Sequence, residues 1–454
     1  MAHFKHIVIG SGQAGVPLAI FLANRGESTL IIEKDKVGGT CVNTGCTPSK
    51  TMHEAIRKIY HSQHIEYAGL TVQSSTFDFG KLMKHVRDIR NAWSEGSTDN
   101  IENTENLTLA RGRAHFIDDR TVSIRGFNLI DEQHTADFFY INTGARPRMP
   151  EVEGLNSVGP LTNRNIFELT EQPKSLIIIG GGYIGLEFAQ MFARIGTSVS
   201  VVNHGDKIVG REDDDIIELL QKKLEEEGVT FYLNKSPEKA TKESNGVSLT
   251  LEGGKTLKAD KILVAAGRIP NSDHLGLEAA GINVNDKGVI EVNEVLGTSI
   301  EHIYALGEVA GTPQFTHMAY DDYRVVKANI EKPKVRNTLH RTVPYTLFTD
   351  PHLGRFGLNE KEAKKKNIDY KLYEMPMSSV ARAAEKNEPY GKIKVLCDPQ
   401  SEEILGASIL GVDGGEMMTV LQMACSGGIT APQLQQYIFA HPLLAEGFNN
   451  LFTS

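Results

Sequence analysis

Two cysteines five positions apart carry the clearest chemical signal in the chain. Cys41 and Cys46 stand in the run Gly39-Thr40-Cys41-Val42-Asn43-Thr44-Gly45-Cys46, and they are two of only four cysteines in 454 residues. A disulfide between them would close so small a loop that it would remove little entropy from the unfolded chain. It would therefore stabilise the fold weakly, and the spacing predicts a redox pair that opens and closes.

The surroundings of Cys46 favour a reactive thiolate. Pro48-Ser49-Lys50 leads into the helical pattern of residues 51–57, which places Cys46 near a helix N-terminus, where the backbone field stabilises negative charge on sulfur. Zinc or iron–sulfur ligation is an alternative, but no second Cys or His pair at metal spacing lies nearby. Two unrelated buried thiols are another. Cys397 and Cys425 lie far along the chain, in apolar patterns that predict burial.

Two glycine-rich turns predict a pair of dinucleotide-binding units. Each turn follows a β-rich run, residues 4–9 and residues 175–179, and precedes a helical pattern and a second β-rich run. This is the context that the G-x-G-x-x-G motif requires, because its glycines permit the tight turn, the approach of a pyrophosphate and close helix packing. The turns contain Gly10, Gly12 and Gly15 in the first copy and Gly180, Gly182 and Gly185 in the second.

The two units differ where the second strand ends. Glu33 stands 23 positions after Gly10, where a carboxylate can accept hydrogen bonds from the hydroxyls of an adenosine ribose. The same offset from Gly180 gives Asn203, which carries no charge. The sequence therefore predicts two dinucleotide sites that are tuned differently.

Composition narrows the setting in which this chemistry takes place. The formal net charge of −9 disfavours nucleic acid or an anionic membrane as the main partner. No apolar run approaches 18 residues, so we expect no membrane span. The first predicted strand begins near Phe4, which leaves no room for a signal peptide and predicts a cytoplasmic location. A disulfide in the cytoplasm is usually catalytic rather than structural.

The cysteine run up to Lys50, the two glycine motifs and Gly307-Glu308 together resemble the flavin-dependent pyridine nucleotide-disulfide oxidoreductases. This class I family includes the relatives of glutathione reductase, lipoamide dehydrogenase and mercuric reductase, and the resemblance extends from Ile7 to Phe452. It implies an α/β fold with two Rossmann-like domains, for FAD and NAD(P)H, and a C-terminal α+β dimerisation domain. The implied segments are FAD at 1–146, NAD(P)H at 147–271, FAD again at 272–337, and the interface domain at 338–454.

The resemblance implies roles for the residues around the cysteine pair. Cys41 resembles the interchange thiol that attacks substrate, and Cys46 resembles the thiol that touches the flavin and forms a charge-transfer thiolate. Lys50 resembles the lysine beside flavin N5, which pairs with the glutamate at Glu187. Tyr183 falls where relatives keep an aromatic gate over the nicotinamide pocket.

The resemblance also implies contacts to both dinucleotides. Beyond the first glycine turn, the implied FAD contacts are Glu33, Lys34, Gly39, Thr40, Lys50, Ala114, Thr143, Gly144, Gly307, Glu308, Phe315 and Thr316. The implied nicotinamide-dinucleotide contacts are Gly180, Gly182, Tyr183, Gly185, Glu187, Asn203, His204 and Gly267. Most relatives have Asp at position 308, and the longer Glu keeps an acceptor for the ribitol hydroxyl with a local shift. No metal site is expected.

A further catalytic pair is implied near the C-terminus. In His441-Pro442-Leu443-Leu444-Ala445-Glu446, His441 resembles the acid–base imidazole of the family and Glu446 the carboxylate that orients it. A neutral imidazole near a thiol can take its proton. In relatives this pair reaches the active site of the other subunit, so the resemblance implies a homodimer with shared active sites.

Some residues of the second dinucleotide site favour NADPH and others favour NADH. Asn203 is followed by His204, Lys207 and Arg211, which could supply donors or positive charge to a 2′-phosphate. Gly185 is retained where NADPH-preferring relatives often carry alanine, and the acidic run 212–215 places negative charge close by. We therefore predict that NADH and NADPH are both used, with discrimination below about tenfold, or roughly 1.4 kcal/mol.

The branch of the family decides the expected substrate. The text from Pro313 to Arg324 resembles the mercuric-reductase-like branch, which includes flavoproteins of reactive-chlorine and hypothiocyanite defence. His441 stands where mercuric reductases usually have an aromatic residue, and the sequence ends without their C-terminal cysteine pair. A small oxidant such as hypothiocyanite is favoured ahead of lipoamide and Hg(II). An NADH oxidase without disulfide chemistry and a non-catalytic flavin- and nucleotide-binding sensor are the alternatives.

Overall fold

The computed structural model describes residues 1–64, 76–126 and 131–453, which include every residue predicted above to bind a cofactor or act in catalysis. The strands are β1 (Ala2–Ile9), β2 (Thr29–Glu33), β3 (Leu107–Arg111), β4 (Arg113–Phe116), β5 (Thr121–Arg125), β6 (Asp131–Ile141), β7 (Ala145–Pro147), β8 (Ser175–Ile179), β9 (Ser198–Val202), β10 (Val229–Tyr232), β11 (Pro237–Glu243), β12 (Gly246–Leu251), β13 (Thr256–Ala259), β14 (Lys261–Val264), β15 (Arg268–Pro270), β16 (Ile303–Ala305), β17 (Tyr345–Leu347), β18 (His352–Gly357), β19 (Lys371–Pro376), β20 (Lys392–Cys397) and β21 (Ile404–Gly411). The α-helices are α1 (Gly15–Ala23), α2 (Gly39–Thr44), α3 (Cys46–Gln63), α4 (Phe79–Glu102), α5 (Tyr183–Arg194), α6 (Asp214–Glu226), α7 (Thr316–Glu331), α8 (Glu360–Lys366), α9 (Ala381–Glu385), α10 (Gly414–Ser426), α11 (Ala431–Gln436) and α12 (Gly447–Leu451). Short 3-10 helices cover Asn156–Val158, Ile166–Glu168, Gly307–Ala310, Met377–Ser379 and Leu444–Glu446.

The first glycine turn belongs to a sheet with the order β3-β2-β1-β6-β5-β4, and β16 pairs in parallel with β6. Strand β1 lies parallel to β2 and β6 at its centre, and its residues Ile7, Val8 and Ile9 are at most 3% exposed. Successive side chains of a strand point to opposite faces, so burial of all three shows that both faces are covered. Helix α1 follows β1 directly, which confirms the first strand–turn–helix–strand unit.

The second glycine turn belongs to an all-parallel sheet with the order β10-β9-β8-β14. Strand β8 has the bounds predicted from the sequence. The helical pattern after the second glycine turn covers residues 186–195, and α5 begins three residues earlier, at Tyr183. The antiparallel sheet β11-β12-β13 lies in the same stretch of chain. Strands β7 and β15 pair with each other where the chain enters and leaves this region, with Arg146 opposite Ile269.

The C-terminal region is built on an antiparallel sheet with the order β17-β18-β21-β20-β19. Cys397 in β20 is fully buried, as expected from its alternating pattern. Cys425 in α10 is only partly buried, and its S–H donates to the carbonyl of Ile404, so the expectation of burial was wrong for this residue. The fold as a whole confirms the α/β class. None of the helices in the described part of the chain combines the length and apolar composition that a bilayer-spanning helix requires.

Candidate active site

The cysteine pair bridges two consecutive helices. Cys41 lies within α2, and Cys46 is the first residue of α3, so the helix begins five residues earlier than the pattern of residues 51–57 indicated. Gly39 has φ +60°, and a β-carbon there would lie 2.9 Å from the Cα of Gly12. The cysteine segment therefore approaches the first dinucleotide turn as closely as its backbone allows. Both cysteines are thiols, Cys41 partly buried and Cys46 exposed.

The two thiols have opposite acidities. The hydrogen bond from Cys41 to the sulfur of Cys46, the Thr316 hydroxyl and the Lys50 charge lower the pKa of Cys46 to about 6, although the protein atoms around the sulfur displace water and by themselves would raise this pKa. The same bond to Cys46, together with burial, raises the pKa of Cys41 well above its ordinary value. Cys46 is therefore the more acidic thiol of the pair, and Cys41 holds its proton more firmly.

Lys50 is fixed beside the pair by two contacts. Its ammonium nitrogen lies 2.7 Å from a carboxylate oxygen of Glu187 in α5 and 4.5 Å from the ring centroid of Phe348. The other oxygen of Glu187 accepts the backbone N–H of Phe348 at 3.0 Å. Because both oxygens of Glu187 are engaged, the carboxylate holds the lysine and the 348 segment in one arrangement.

Aromatic rings pack next to Thr316, whose hydroxyl lies 3.1 Å from the Cys46 sulfur. Phe315 stacks on Tyr345, with ring centroids 5.2 Å apart and planes 3° from parallel. Tyr183, the first residue of α5, contacts both rings edge-on, and its hydroxyl donates to Glu212 at 2.9 Å. Tyr345 was not found from the sequence, because it belongs to no local motif, and Glu212 was noted only as part of the acidic run 212–215 and not as a partner of Tyr183.

The first glycine turn fits the pyrophosphate of FAD. A β-carbon on Gly10 would lie 2.3 Å from the carbonyl oxygen of Asn142, and one on Gly15 would lie 2.1 Å from the oxygen of Gly10, so only glycine fits at either position. The bare backbone leads into the N-terminus of α1, which favours an anion. Glu33 is buried and accepts two hydrogen bonds from Ser11, one of them at 2.6 Å from its hydroxyl.

Asn142 joins this turn to the second part of the same sheet. Its side-chain oxygen accepts the N–H of Gly15 at 2.9 Å, and its side-chain nitrogen donates to the carbonyl of Leu306 at 2.9 Å. Leu306 immediately precedes the Gly307-Glu308 turn. The sequence offered a weak signal for Asn142, which directly precedes Thr143-Gly144.

The later implied FAD contacts lie around this junction. The N–H of Gly307 donates to buried Asp322 at 2.7 Å. Glu308 pairs with Arg268 at 2.8 Å, so its carboxylate has a cationic partner in addition to the role implied for it. Thr143 and Gly144 both bond to the backbone of Asn271. Gly267, which was implied as a contact of the nicotinamide dinucleotide, has φ +102°. Ala114 lies buried in β4, whereas Lys34 and Thr40 are exposed.

The second glycine turn has no room for a side chain at Gly180 or Gly185, but it has room at Gly182. A β-carbon on Gly180 would lie 2.4 Å from the oxygen of Ala265, whereas one on Gly182 would meet nothing within 4 Å. Asn203 accepts the N–H of Gly181 at 3.1 Å and donates to the carbonyl of Lys207 at 2.9 Å, so it holds the turn together. His204 bonds to Ser236 at 2.9 Å. A β-carbon on Gly185 would lie 2.0 Å from the oxygen of Gly180.

The acidic run 212–215 does not form the block of negative charge that the sequence suggested. Each of its carboxylates has a basic partner: Glu212 with Arg355, Asp213 with Lys394, Asp214 with Lys207, and Asp215 with Lys392. Glu212 and Asp213 are also buried. The run therefore contributes little net negative charge toward a bound 2′-phosphate, and Lys207 is itself engaged by Asp214.

The His441–Glu446 pair is formed within the chain. The Nδ1 atom of His441 lies 2.9 Å and 3.1 Å from the two carboxylate oxygens of Glu446, and the imidazole is exposed. In the described parts of the chain, neither residue shares a hydrogen bond or ion pair with Cys41 or Cys46. Ile438 nearby is 98% exposed. The implied contribution of His441 to the active site of another subunit stays a prediction.

A cluster of ion pairs lies toward the C-terminal end of α3, the helix that begins at Cys46. The Nε2 atom of His61 lies 2.9 Å from a carboxylate oxygen of Asp350. Ligand-type atoms of His61, Asp350 and Glu388 lie within 4.8 Å of one another. Arg57 and Arg194 occupy these carboxylates, with Arg194 2.7 Å from Asp350 and Arg57 2.6 Å from Glu388. The cluster therefore carries its own cations and joins α3 to α5.

The chain matches the family model described as "Pyridine nucleotide-disulphide oxidoreductase" over residues 4–322 and that family's dimerisation domain over residues 343–452. It is 33% identical to the probable pyridine nucleotide-disulfide oxidoreductase RclA of Escherichia coli, over 100% of this chain and 99% of RclA. It is also 33% identical to a mercuric reductase of Staphylococcus aureus, over 97% of this chain and 80% of that protein.

A dihydrolipoyl dehydrogenase of Geobacillus stearothermophilus is 31% identical, over 97% of this chain and 93% of the enzyme. Among solved structures, the Cu(II) complex of the HOCl-induced flavoprotein disulfide reductase RclA from Escherichia coli superposes with a TM-score of 0.92 at 32% identity, covering 100% of this chain and 99% of that one. The matched dimerisation domain implies a homodimer. The chain belongs to the pyridine nucleotide-disulfide oxidoreductase family and is an oxidoreductase.

Proposed function

We propose that this enzyme uses NADH or NADPH to reduce a Cys41–Cys46 disulfide and uses the resulting dithiol to reduce a small oxidant such as hypothiocyanite. The opposite acidities of the two thiols support the proposal most strongly, because a stable thiolate beside a protonated nucleophile is the arrangement that such a dithiol requires. FAD, when bound, would accept the hydride of the nicotinamide and supply the electron pair to the sulfurs.

The residues present fit that cofactor. FAD and a pyridine nucleotide are the cofactors expected of this family. The glycine turn and the N-terminus of α1 would hold the pyrophosphate, Glu33 the ribose, and the Gly307-Glu308 turn the ribitol chain. Lys50 and Thr316 would lie at the reacting end, since both approach the sulfur of Cys46.

The chemistry at sulfur balances with one proton and two electrons. His441 of the partner subunit would remove the proton of Cys41, whose sulfur then attacks the sulfur of hypothiocyanous acid, the protonated form of hypothiocyanite. The oxygen leaves with its own proton and takes the second proton from the His441 imidazolium, so it departs as water. The Cys46 thiolate then attacks the Cys41 sulfur, thiocyanate leaves, and the disulfide closes. The cysteine pair loses one proton and two electrons, and hypothiocyanous acid becomes thiocyanate and water.

Kinetics on one preparation test the choice of substrate. The kcat/KM values for hypothiocyanite, lipoamide, glutathione disulfide and Hg(II) should decrease in the order hypothiocyanite, lipoamide, Hg(II), with glutathione disulfide below hypothiocyanite. The similarity to RclA, whose solved form is described as HOCl-induced, supports this ranking. Lipoamide reduction that exceeds the others by orders of magnitude would overturn it.

We also propose that both nicotinamide cofactors are used, with discrimination below about tenfold. Asn203 is committed to backbone groups, and Lys207 is paired with Asp214, so neither a repelling acid nor a free cation faces the ribose from these positions. Steady-state kinetics with NADH and NADPH on the same oxidant test this. A thousandfold preference either way would show that the loop at residues 203–211 works differently.

Anaerobic titration separates this enzyme from a non-catalytic sensor. Addition of NADH or NADPH should produce a long-wavelength absorption band from a thiolate beside the flavin, and Cys46→Ser should lack it. If the wild type shows no band and Cys46→Ser reacts identically, the dithiol mechanism is wrong. Rapid oxygen-dependent turnover by Cys41→Ser would instead favour an NADH oxidase.

A further inference from the structure

The hydroxyl of Tyr183 is tied to a carboxylate that solvent does not reach. Glu212 has no exposed surface, and one of its oxygens accepts from Tyr183 at 2.9 Å and from Tyr345 at 2.7 Å. Its other oxygen faces the guanidinium of Arg355 at 3.5 Å, and Arg355 also donates to the Tyr345 hydroxyl at 3.0 Å. The carboxylate therefore has three partners, and Tyr183 is one of them.

The bond from Tyr183 to Glu212 is of the stronger kind. Glu212 forms an ion pair with Arg355, and hydrogen bonds to a carboxylate acceptor are about twice as strong as those between neutral groups. Burial and the charge of Glu212 raise the pKa of the Tyr183 phenol well above its ordinary value, so it remains a donor across the physiological range. The ring is thus held in one place by a permanent donor and a permanent acceptor.

Tyr183 lies next to both the second glycine turn and the aromatic rings near Cys46. Tyr183 directly follows the glycine turn at residues 180–182, and Glu212 directly follows the loop at residues 203–211. The ring of Tyr183 packs on Phe315 and Tyr345, and Phe315 precedes Thr316, the neighbour of the Cys46 sulfur. The tyrosine therefore stands between the dinucleotide turn and the redox sulfur, held by a residue that the gate model of the family does not require.

We propose that Glu212 is a latch that holds the Tyr183 ring closed over the nicotinamide pocket, so that a nicotinamide ring enters only after the Tyr183–Glu212 hydrogen bond breaks. This inference rests on the proposed function, since it takes Tyr183 as the gate. Only molecules with the gate open bind the nicotinamide, and the apparent affinity is reduced by that open fraction. Release of the latch therefore tightens nucleotide binding.

The variant Tyr183→Phe removes only the hydroxyl of the ring, and with it the bonds of that hydroxyl to Glu212 and to Tyr345. Glu212 keeps Tyr345 and Arg355, so no buried charge is left alone. On the holoenzyme, calorimetry with NAD+ and NADP+ should show Kd values about tenfold lower than in the wild type, and the KM for NADPH should fall similarly. ADP-ribose, which lacks the nicotinamide, should bind both proteins equally.

The variant Tyr345→Phe is the matched control, because it removes the other phenol from the same carboxylate and leaves the Tyr183–Glu212 bond. Its nucleotide affinity should stay within about twofold of the wild type. Unchanged NADP+ affinity in Tyr183→Phe, equal tightening in Tyr345→Phe, or equal tightening of ADP-ribose would each overturn the latch. If neither nucleotide reduces the wild-type flavin under anaerobic conditions, the proposed function itself fails, and the latch fails with it.

Discussion

The hydroxyl of Thr316 lies 3.1 Å from the sulfur of Cys46, although 270 positions separate the two residues in the chain. Cys46 is the first residue of α3, and Thr316 is the first residue of α7. The N-terminal ends of two helices therefore meet at one sulfur, and each favours negative charge there. The hydrogen bond from Cys41, the Thr316 hydroxyl and the charge of Lys50 together lower the pKa of Cys46 to about 6.

Removal of the Thr316 hydroxyl should raise the pKa of the Cys46 thiol. Thr316→Val keeps the β-branched shape and deletes the donor, which is worth about one pH unit if the bond contributes roughly 1.4 kcal/mol. The pH titration of the thiolate absorption in the reduced enzyme measures the midpoint, which should rise from about 6 to about 7. Thr316→Ser keeps the hydroxyl and should keep the wild-type midpoint. An unshifted midpoint in Thr316→Val would show that the hydroxyl does not donate to the thiolate.

Glu187 should have separable effects on activity and on stability. In Glu187→Gln, the amide oxygen can still accept the N–H of Phe348, but Lys50 loses its ion partner, so flavin reduction by NADPH should slow about tenfold or more with little loss of stability. Glu187→Leu also leaves that N–H without an acceptor, which should lower the free energy of unfolding by about 1–3 kcal/mol more. Stopped-flow reduction and denaturant unfolding measure the two effects. Equal stability of the two variants would contradict this division.

Asp350 should stabilise the enzyme in a pH-dependent way. Burial alone would raise the pKa of its carboxyl, but the hydrogen bond from His61 and the charges of Arg194 and Arg57 hold it well below its ordinary value. A depressed pKa contributes stability that is present above the unfolded pKa, about 4, and is lost as the pH falls below it. Asp350→Asn should thus lower the free energy of unfolding by about 3 kcal/mol at pH 7.

Denaturant unfolding of wild type and Asp350→Asn from pH 7 to pH 3 checks this prediction. The difference in unfolding free energy between the two proteins should shrink as the pH falls below about 4. Below this pH the carboxyl of Asp350 is protonated in the unfolded wild-type chain, and this protonation favours unfolding. Asp88→Asn, at an exposed ion pair with Lys84, serves as the control and should leave the curve unchanged. A difference that is constant with pH would show that the charge of Asp350 is not what stabilises the cluster.

Mixed dimers test whether His441 acts across the subunit interface. Cys41→Ser and His441→Ala should each be nearly inactive alone. When the two variants are denatured together in equal amounts and refolded, about half of the dimers are mixed, and one of their two sites combines an intact cysteine pair with an intact histidine. About a quarter of the wild-type activity should return. If His441 serves its own subunit, no site is intact and no activity returns.

Local motifs and long-range partners were not equally visible in the sequence. The two strand–turn–helix units and the position of Cys46 at a helix start follow from residues within about 30 positions of one another, where spacing alone fixes the geometry. Asn142 bonds to Gly15, 127 positions away, and to Leu306, 164 positions away. No periodicity connects residues at such distances, so only the folded sheet could identify Asn142 as the link between the two parts of the first dinucleotide site.

The sequence also gave a wrong expectation for the local charge at residues 212–215. The run at residues 212–215 reads as a block of negative charge, but its partners Arg355, Lys392 and Lys394 come from the C-terminal region. Glu308 likewise pairs with Arg268, 40 positions before it. Net charge along a sequence cannot show which carboxylates are neutralised, because ion pairing depends on tertiary proximity.

A count of thiols after reduction tests the central claim most directly, namely that nicotinamide electrons reach the Cys41–Cys46 pair. The chain has four cysteines, and Cys397 and Cys425 are thiols in either redox state under this account. The air-oxidised holoenzyme, denatured in a thiol reagent, should therefore give two thiols per subunit. After anaerobic addition of NADPH it should give four, with the new label at Cys41 and Cys46 by mass spectrometry. The same count before and after NADPH, while the flavin is reduced, would contradict the account.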